Sequence, residues 1–229
     1  MNLDDQIAKI ASLIGDKTRS AILLALMGGK ALTAGELALR ANISPQTASN
    51  HLKKLLDANL IELIKTASRY RYYKISSPLV ARALESLSLL LPDKQRPPRH
   101  EKLDQNICFA RTCYDHLAGT LSVKITNALL NKKFIQLCNE KFVLTSQGDD
   151  FFKKININCQ DLIKLNRQFT KPCLDWTERE YHLAGSLGSS FLDYLLNNRL
   201  LMHSKNKSRV IFLTEQGRQW LKQQLEIII

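Results

Sequence analysis

A proline-rich break near the middle of the chain limits what the sequence can fold into. The stretch LPDKQRPPRHEK, residues 91–102, contains three prolines among basic and polar residues. Because proline has no backbone N–H to donate, a regular helix or sheet strand is not expected there. The chain has 229 residues, which is enough for two modest domains. We therefore predict a first domain over residues 1–91, a linker over 92–102 and a second domain over 103–229.

The net charge indicates the class of partner. Lys and Arg outnumber Asp and Glu by 33 to 21, which gives a formal charge of +12 at pH 7. A strongly basic chain attracts polyanions, so nucleic acid is the first partner to consider and an acidic membrane surface is the second. The same charge also fits an ordinary solvated basic surface. The choice between these interpretations depends on the motifs.

The sequence shows no feature of a membrane-spanning or secreted protein. Its longest apolar stretch, residues 20–29, is about half of the ~20 residues needed to cross a bilayer. The amino terminus, MNLDDQIAKI, has two early aspartates and lacks the apolar core of a signal peptide. Five cysteines form an odd set without a CxxC pair, which argues against a disulfide framework and a zinc ribbon. We expect a cytoplasmic protein with reduced thiols, no cofactor and no membrane partner.

The first 91 residues show the order helix, helix, helix, helix, hairpin, helix. Apolar residues recur at helical spacing over residues 3–14 and 16–27. Thr33 can cap a short third helix, and Ser44 can cap a fourth helix that has proline at its first position. Two β-rich runs within residues 60–75 then predict a hairpin. Three helices followed by such a hairpin indicate a winged helix.

The predicted fourth helix has two different faces. Ala48, Leu52 and Leu55 fall on one side and predict its buried face. Polar and basic residues at its start and on its other sides are the DNA-binding candidates: Ser44, Gln46, Thr47, Ser49, Asn50, His51, Lys53 and Lys54. Short polar side chains on an exposed helix suit hydrogen bonding to base edges in the major groove. An ordinary solvated helix face is the alternative.

Three segments, in this order, resemble the ArsR-type winged-helix repressors over about residues 5–90. They read SLIGDKTRSAILLAL, ELALRANISPQTASNHLKKLLDANLIE and SRYRYYKIS. The resemblance implies that the helix beginning at Ser44 lies in the major groove of double-stranded DNA and that the hairpin reaches flanking phosphates or the minor groove. It also implies that the first and last helices form a homodimer on a palindromic operator. Both of these helices carry an apolar stripe that suits such a dimer: Leu3, Ile7, Ile10 and Ile14 on the first, and Leu79, Ala83, Leu84, Leu87 and Leu91 on the last. On the hairpin, Arg69 and Arg71 are the candidates for phosphate contacts, together with Lys53 and Lys54.

The chain departs from the metal-sensing members of that family. Those members carry cysteines on the helix that here reads AGELALRAN, or acidic and histidine ligands on the last helix, here SPLVARALESLSLL. Neither segment contains cysteine or histidine. Metal sensing at those family positions is therefore not expected.

The second half of the chain repeats itself. Three short segments recur in the same order: HLAGTL at 116–121 as HLAGSL at 182–187, ALLNKKF at 128–134 as YLLNNRL at 194–200, and FVLTSQG at 142–148 as IFLTEQG at 211–217. The HLAG segments are expected inside helices, with Gly119 and Gly185 allowing close helix contact. The predicted fold is mainly α with β-hairpins (α+β): an N-terminal winged helix-turn-helix and a C-terminal domain of two helix-hairpin-helix repeats.

Cysteine, histidine, arginine and tryptophan concentrate just before the two HLAG segments. We predict that eight of these residues line or border one effector or redox pocket between the two copies: Cys108, Arg111, Cys113, His116, Cys173, Trp176, Arg179 and His182. The arginines could pair with an anionic effector or form a buried ion-pair network, and the sequence leaves both open. Adjacent positive charge would activate a thiol, whereas an apolar setting would leave it inert.

Metal binding by these residues is the less favoured interpretation. His116 follows Cys108 by eight residues and His182 follows Cys173 by nine, so a symmetric Cys and His pairing could bind a soft metal. However, Cys113 has no apparent counterpart in the second copy, and the intervals fit no standard zinc pattern. Buried thiols and structural histidines are favoured, and no metal site is assigned.

The leading hypothesis is a homodimeric DNA-binding repressor whose C-terminal domain responds to a small molecule or a redox signal. One alternative is an architectural protein that coats nucleic acid without sequence choice, which competition against nonspecific DNA would reveal. Another is a thiol-dependent enzyme tethered to DNA, which would require a substrate that is turned over. No nucleophile motif is present, so no catalytic residue is assigned.

Overall fold

The structure of the chain is a computed structural model, and it describes residues 2–64, 71–90, 105–204 and 209–229. The chain separates into two compact units whose boundary falls at about residue 93. Within the described ranges, every helix is too short or too polar to span a bilayer.

The first unit is a winged helix-turn-helix, as the sequence predicts. Its elements are α1 (Leu3–Ile14), α2 (Lys17–Leu26), β1 (Leu32–Thr33), α3 (Ala34–Ala41), α4 (Pro45–Asp57), β2 (Ile61–Ile64), β3 (Tyr72–Ile75) and α5 (Pro78–Leu89). The three strands form one antiparallel sheet in the order β1-β3-β2. The helix-turn-helix consists of α3 and α4, and β2 and β3 form the wing.

Side-chain caps fix where the helices of this unit begin. Asp16, Thr33 and Ser44 each accept a hydrogen bond from the backbone N–H three residues later. The carboxylate of Glu36 accepts a hydrogen bond from the backbone N–H of Thr33, which completes a capping box. The helices pack on a core of fully buried apolar side chains that includes Ile22, Leu23, Leu26, Leu37, Leu52 and Leu55.

Helix α1 is fastened to α2 through its carboxyl end rather than through an apolar face. The guanidinium of Arg19 donates to the carbonyls of Leu13 at 2.7 Å and Ser12 at 2.8 Å, which otherwise lack partners at a helix end. Every residue of α1 is exposed or half-buried. Its apolar face therefore remains on the surface of the unit.

The second unit contains two halves with the same element order. The first half is α6 (Gln105–Phe109), β4 (Arg111–Cys113), β5 (His116–Ala118), α7 (Thr120–Asn131), β6 (Ile135–Cys138), β7 (Lys141–Leu144) and α8 (Ser146–Lys154). The second half is α9 (Cys159–Ile163), β8 (Lys171–Leu174), β9 (Tyr181–Ala184), α10 (Gly185–Asn197), β10 (Leu201–His203), β11 (Ile211–Leu213) and α11 (Glu215–Leu225). Successive strands pair as four antiparallel hairpins.

The HLAG segments are not inside helices, so that expectation was wrong. In each copy the residues HLA form the second strand of a hairpin, and the glycine stands at the start of the following helix. Gly119 has φ +92°, and a Cβ there would lie 2.6 Å from the carbonyl oxygen of Cys108. Gly185 has φ +84° and an equally close backbone neighbour. Both glycines are needed where a strand turns sharply into a helix.

The two halves share one hydrophobic core and are also joined by a hydrogen bond. Phe152 of the first half meets Phe191 of the second edge to face, with ring centroids 5.6 Å apart. The backbone N–H of Leu183 on β9 donates to Thr126 Oγ1 on α7 at 2.9 Å. Strand β5 of the first half also contacts strand β9 of the second, so the hairpins β4-β5 and β8-β9 lie side by side.

Candidate functional site

Helix α4 presents a polar face opposite its buried one. Ala48, Leu52 and Leu55 are buried against the first unit. Six of the predicted DNA-binding residues are exposed along the helix: Gln46, Thr47, Ser49, Asn50, Lys53 and Lys54. The apolar side of α4 thus packs on the core of the first unit, and these six side chains face the solvent.

The hydroxyl groups at the start of α4 are engaged locally. Ser44 Oγ accepts from the N–H of Thr47 at 3.1 Å and lies 2.8 Å from Thr47 Oγ1. Ser49 Oγ donates to the carbonyl of Pro45 at 3.0 Å. The larger amide side chains of Gln46 and Asn50 are exposed, and they are the ones whose paired donor and acceptor suit an adenine edge.

Three other DNA-binding candidates are placed differently. His51 is half-buried, and its Nδ1 lies 3.7 Å from Asp16 Oδ1, at the start of α2. The backbone N–H of Arg19 lowers the pKa of Asp16 by donating to its carboxylate, so this histidine faces a negative charge within the fold. Arg71 is exposed just before β3. Arg69 lies outside the described residues.

In the second unit, four of the eight effector candidates come together. Cys113 and His116 are directly opposite each other on β4 and β5, and Cys173 and His182 are opposite each other on β8 and β9. One ligand atom from each of these residues, the Sγ of each cysteine and one ring nitrogen of each histidine, lies within 4.8 Å of the other three. The cluster consists of two cysteines and two histidines, and we refer to it as the Cys2His2 cluster.

The hairpin register corrects the pairing expected from sequence spacing. The counterpart of Cys173 is Cys113, which was thought to have none, and it is not Cys108. Two residues separate Cys113 from His116, whereas eight separate Cys173 from His182. The longer connection in the second hairpin hid the equivalence, because only the strand positions coincide.

Each histidine of the cluster points one nitrogen inward and the other at a carboxylate. The Nε2 atoms of His116 and His182 are 3.2 Å apart. The Nδ1 of His116 lies 3.5 Å from Asp115 Oδ1, and the Nδ1 of His182 lies 3.5 Å from Asp175 Oδ2. Both rings are buried. Burial would raise the pKa of Asp115, but Arg167 and His116 lower it, so this carboxylate is ionised beside the ring.

Two cysteines of the second unit, Cys113 and Cys159, have raised pKa values. A hydrogen bond with the Cys173 thiol and burial raise the pKa of Cys113, so a protonated thiol is the stable form without a metal. Burial, with a contribution from Asp149, raises the pKa of Cys159 to about 12. Cys138 is exposed on β6. Of the two settings that the sequence left open for a thiol, Cys113 is in the one that disfavours the thiolate, although hydrogen bonds with His116 and His182 partly offset the increase in its pKa.

Arg111 forms a buried ion pair with Asp175, a residue that the sequence analysis did not single out. Arg111 Nη2 donates to both carboxylate oxygens at 2.9 and 3.0 Å, and each side chain is at most 1% exposed. Trp176 stacks on the guanidinium, with its ring centroid 5.2 Å away. Burial alone would raise the pKa of Asp175. The charges of Arg111 and His182 and the N–H of Gly119 lower it well below its usual range.

The remaining candidates lie outside the Cys2His2 cluster. Cys108 is buried with Ile107 and Val210 in a small apolar group. Arg179 is half-buried, and its backbone N–H donates to the carbonyl of Asp175 at 2.8 Å. A cleft of about 420 Å³ elsewhere in the unit is lined by residues between α8 and α9 and on α10, and none of the eight candidates lines it. The four residues of the Cys2His2 cluster therefore pack against one another and do not line this cleft.

Comparison with known proteins finds a family model that matches part of the first unit and a relative that matches nearly the whole chain. A family model described as a helix-turn-helix domain matches residues 14–64. The chain is 40% identical over 228 residues to the uncharacterized HTH-type transcriptional regulator YdfF of Bacillus subtilis (strain 168), covering 99% of this chain and 100% of that protein.

Two solved structures are similar to part of the chain. NolR from Sinorhizobium fredii is 30% identical, with a TM-score of 0.35, over 38% of this chain and 85% of its own. The winged helix-turn-helix domain of Mb0332 from Mycobacterium bovis, described as homodimeric and as a possible ArsR-family regulator, is 25% identical, with a TM-score of 0.35, over 38% of this chain and 80% of its own.

Proposed function

The chain belongs to the HTH-type transcriptional regulators, and from this premise we propose that it is a homodimeric, sequence-specific repressor whose C-terminal domain receives a signal. The observation that carries the proposal is the face of α4. A helix held from behind by three buried apolar residues presents exposed amides and hydroxyls at its amino-terminal end. In helix-turn-helix proteins this end of the second helix contacts base edges.

We assign base contacts to Gln46 and Asn50 first, with Thr47 and Ser49 beside them. An amide side chain can donate and accept at once, and each well-placed pair of such bonds discriminates bases by about 1–3 kcal/mol. Ser44 acts as a cap that fixes the start of the helix. His51, turned toward Asp16, orients the helix within the unit.

Phosphate contacts are assigned to the basic side chains around this face. Lys53 and Lys54 are exposed on α4, and Arg71 is exposed at the start of the second wing strand. With α4 in the major groove, the basic side chains of the helix and of the wing would lie near phosphates on either side of that groove. Such contacts hold the protein on DNA without distinguishing sequences. Arg69 is proposed for the same role from its place in the sequence.

The homodimer is proposed from apolar surface on the first and last helices of the unit. Leu3 and Ile7 on α1 are 69% and 59% exposed, and Leu79 on α5 is 71% exposed. Clustered apolar exposure of this kind marks an interaction surface. Leu84, which the sequence placed in the same stripe, is buried in the core of the unit instead. A two-fold dimer would present its two α4 helices about 34 Å apart, one DNA turn.

The DNA-binding proposal is tested by footprinting the full chain on genomic fragments. We expect protection of palindromic sites that survives excess nonspecific DNA, and reduced transcription from a template that carries such a site. Asn50→Ala should weaken binding by about 1–3 kcal/mol and relax specificity at one base pair. Gln223→Ala, an exposed helical glutamine of α11, is the matched control and should leave the footprint unchanged.

Three outcomes would each contradict part of the proposal. Binding that competitor DNA abolishes at every site would favour a nonspecific architectural protein. A monomer at micromolar concentration in analytical ultracentrifugation, with and without operator DNA, would exclude the dimer. If operator binding and transcription respond to neither peroxide nor small molecules nor metals, the signal-receiving role of the second unit is wrong.

A further inference from the structure

We propose that the Cys2His2 cluster binds one Zn²⁺ ion, with Cys113, His116, Cys173 and His182 as its four ligands. The inference goes beyond the DNA-binding function and does not depend on it, because every ligand belongs to the second unit. Cysteine and histidine are the ligand types that zinc takes in closed tetrahedral sites.

The distances between the donor atoms fit a tetrahedral ion after small movements. Zinc lies about 2.3 Å from sulfur and about 2.0–2.1 Å from nitrogen, so donor atoms around it are about 3.3–3.8 Å apart. The two Nε2 atoms are already 3.2 Å apart, and no pair of donor atoms exceeds 4.8 Å. Shifts of about 1 Å or less in the thiol groups would complete the geometry.

Carboxylates behind both histidines supply a second and independent observation. A histidine that binds a metal through one nitrogen commonly donates its other N–H to a carboxylate, which fixes the tautomer and the ring orientation. Asp115 is placed in this way, with Oδ1 in hydrogen-bond contact with the Nδ1 of His116 at 3.5 Å. Asp175 Oδ2 also lies 3.5 Å from the Nδ1 of His182, but this buried nitrogen makes no hydrogen bond. A small rotation of the His182 ring would let its Nδ1–H donate to Asp175. A proton on each Nδ1 leaves both Nε2 lone pairs directed at the centre of the cluster.

Charge and hydrogen bonding favour a dication at this place. The two buried Nε2 atoms lie 3.2 Å apart, so without a metal one ring must carry its proton on Nε2 to donate to the other. If both protons are instead on Nδ1, two buried acceptors face each other, which is unfavourable unless a cation lies between them. A Zn²⁺ ion would use both lone pairs. The two thiols would each release a proton as the metal binds, so two thiolates and one dication give a neutral centre that tolerates burial.

The types and number of the ligands indicate which metal binds and whether the site is structural or catalytic. Two sulfur and two nitrogen donors in a tetrahedron suit Zn²⁺, whereas oxygen donors would suit Mg²⁺ or Ca²⁺. Four protein ligands leave no open position for water or substrate, which is the arrangement of a structural site. One cysteine and one histidine come from each half of the unit, so the ion would join the hairpin β4-β5 to the hairpin β8-β9.

The test is a metal titration of the purified full chain after chelator treatment, with Co²⁺ as a spectroscopic probe. We expect one equivalent per chain, visible bands of tetrahedral cobalt, a thiolate-to-cobalt charge-transfer band, and loss of these features when Zn²⁺ displaces the cobalt. X-ray absorption of the zinc-loaded protein should give two sulfur and two nitrogen neighbours.

Matched variants assign the site. Cys113→Ser and His182→Gln should lose the cobalt spectrum, whereas Cys138→Ser and His203→Gln, at exposed positions of the same unit, should keep it. Asp115→Asn should weaken zinc binding about 10-fold or more without changing the ligand count, because it removes the carboxylate behind His116.

The proposal is overturned if the folded wild type binds less than half an equivalent of either metal, or if its zinc has a neighbour set other than two sulfurs and two nitrogens. A control variant that loses the spectrum would also overturn the assignment. Should the ligand variants fail to fold, the absorption measurement on the wild type decides. Because metal binding and operator footprinting are measured separately, either conclusion can fail without the other.

Discussion

Replacing Asp175 by alanine should destabilise the second unit more than any surface change of the same kind. Its carboxylate accepts two bonds from Arg111, one from the N–H of Gly119 at 2.7 Å, and others from Thr177 and Glu178. Asp175→Ala would leave the Arg111 guanidinium buried without its counter-ion. Removing one partner of a buried pair costs about 3–5 kcal/mol. We expect a loss of about 4 kcal/mol, a large share of the 5–15 kcal/mol typical of a folded domain.

Tryptophan fluorescence measures this loss selectively. The chain has two tryptophans, Trp176 and Trp220, and both belong to the second unit. Urea unfolding of the full chain, followed at these residues with chelator present, therefore reports that unit alone. The midpoint and slope are compared rather than the amplitude, because Trp176 stacks on Arg111 and its brightness will change. Asp161→Ala is the control, since its ion pair with Lys164 is exposed and worth less than about 1 kcal/mol.

A second variant separates the charge from the contacts. Arg111→Met combined with Asp175→Leu removes both charges and should recover much of the stability, because the penalty comes from an unpaired buried ion. If Asp175→Ala shifts the unfolding midpoint no more than Asp161→Ala does, the ion pair contributes nothing measurable and the reasoning is refuted. A double variant as unstable as Asp175→Ala would show that the unpaired charge is not the cause.

Three further predictions concern other parts of the molecule. Gly119→Ala should cost the second unit about 2 kcal/mol or more in the same unfolding assay, because alanine disfavours φ +92° and its Cβ would meet a carbonyl at 2.6 Å. Zinc should protect Cys113 and Cys173 from alkylation, as read by peptide mass spectrometry, while Cys138 reacts equally with and without the metal. Arg71→Ala should weaken binding to all DNA sequences alike and reduce the slope of log affinity against log salt by about 1; an unaltered slope would exclude a phosphate contact.

The first unit was predictable from sequence because local signals and packing agree there. Thr33 and Ser44 cap α3 and α4 as expected, and the apolar residues of α4 are the ones buried. Leu84 was misplaced because helical spacing alone cannot tell a face that packs inside the unit from one that packs on another protein. The candidate base contacts and the dimer remain predictions, since DNA and a second chain would be needed to test them.

The second unit was harder to predict because its hairpins are short. The strands β4 and β5 have three residues each, too few for an alternating pattern to stand out. The HLAG segments therefore looked like the interior of a helix. In the structure the glycine, with its positive φ, lies where the strand ends and the helix begins. The four cluster residues were named as candidates, but their juxtaposition depends on strand register, which spacing along the chain does not give.

The asymmetry between the two halves places the ion pair where it can support the Cys2His2 cluster. The eight residues between Cys173 and His182 include Asp175, Trp176 and Thr177, whereas the first hairpin turns directly from Cys113 to His116. Asp175 reaches from this longer connection to Arg111 and to the N–H of Gly119, both in the first half. It also faces Nδ1 of His182. One carboxylate therefore joins the halves and places a negative charge 3.5 Å from Nδ1 of a ligand of the proposed zinc ion. For this reason its removal should reduce both stability and metal affinity.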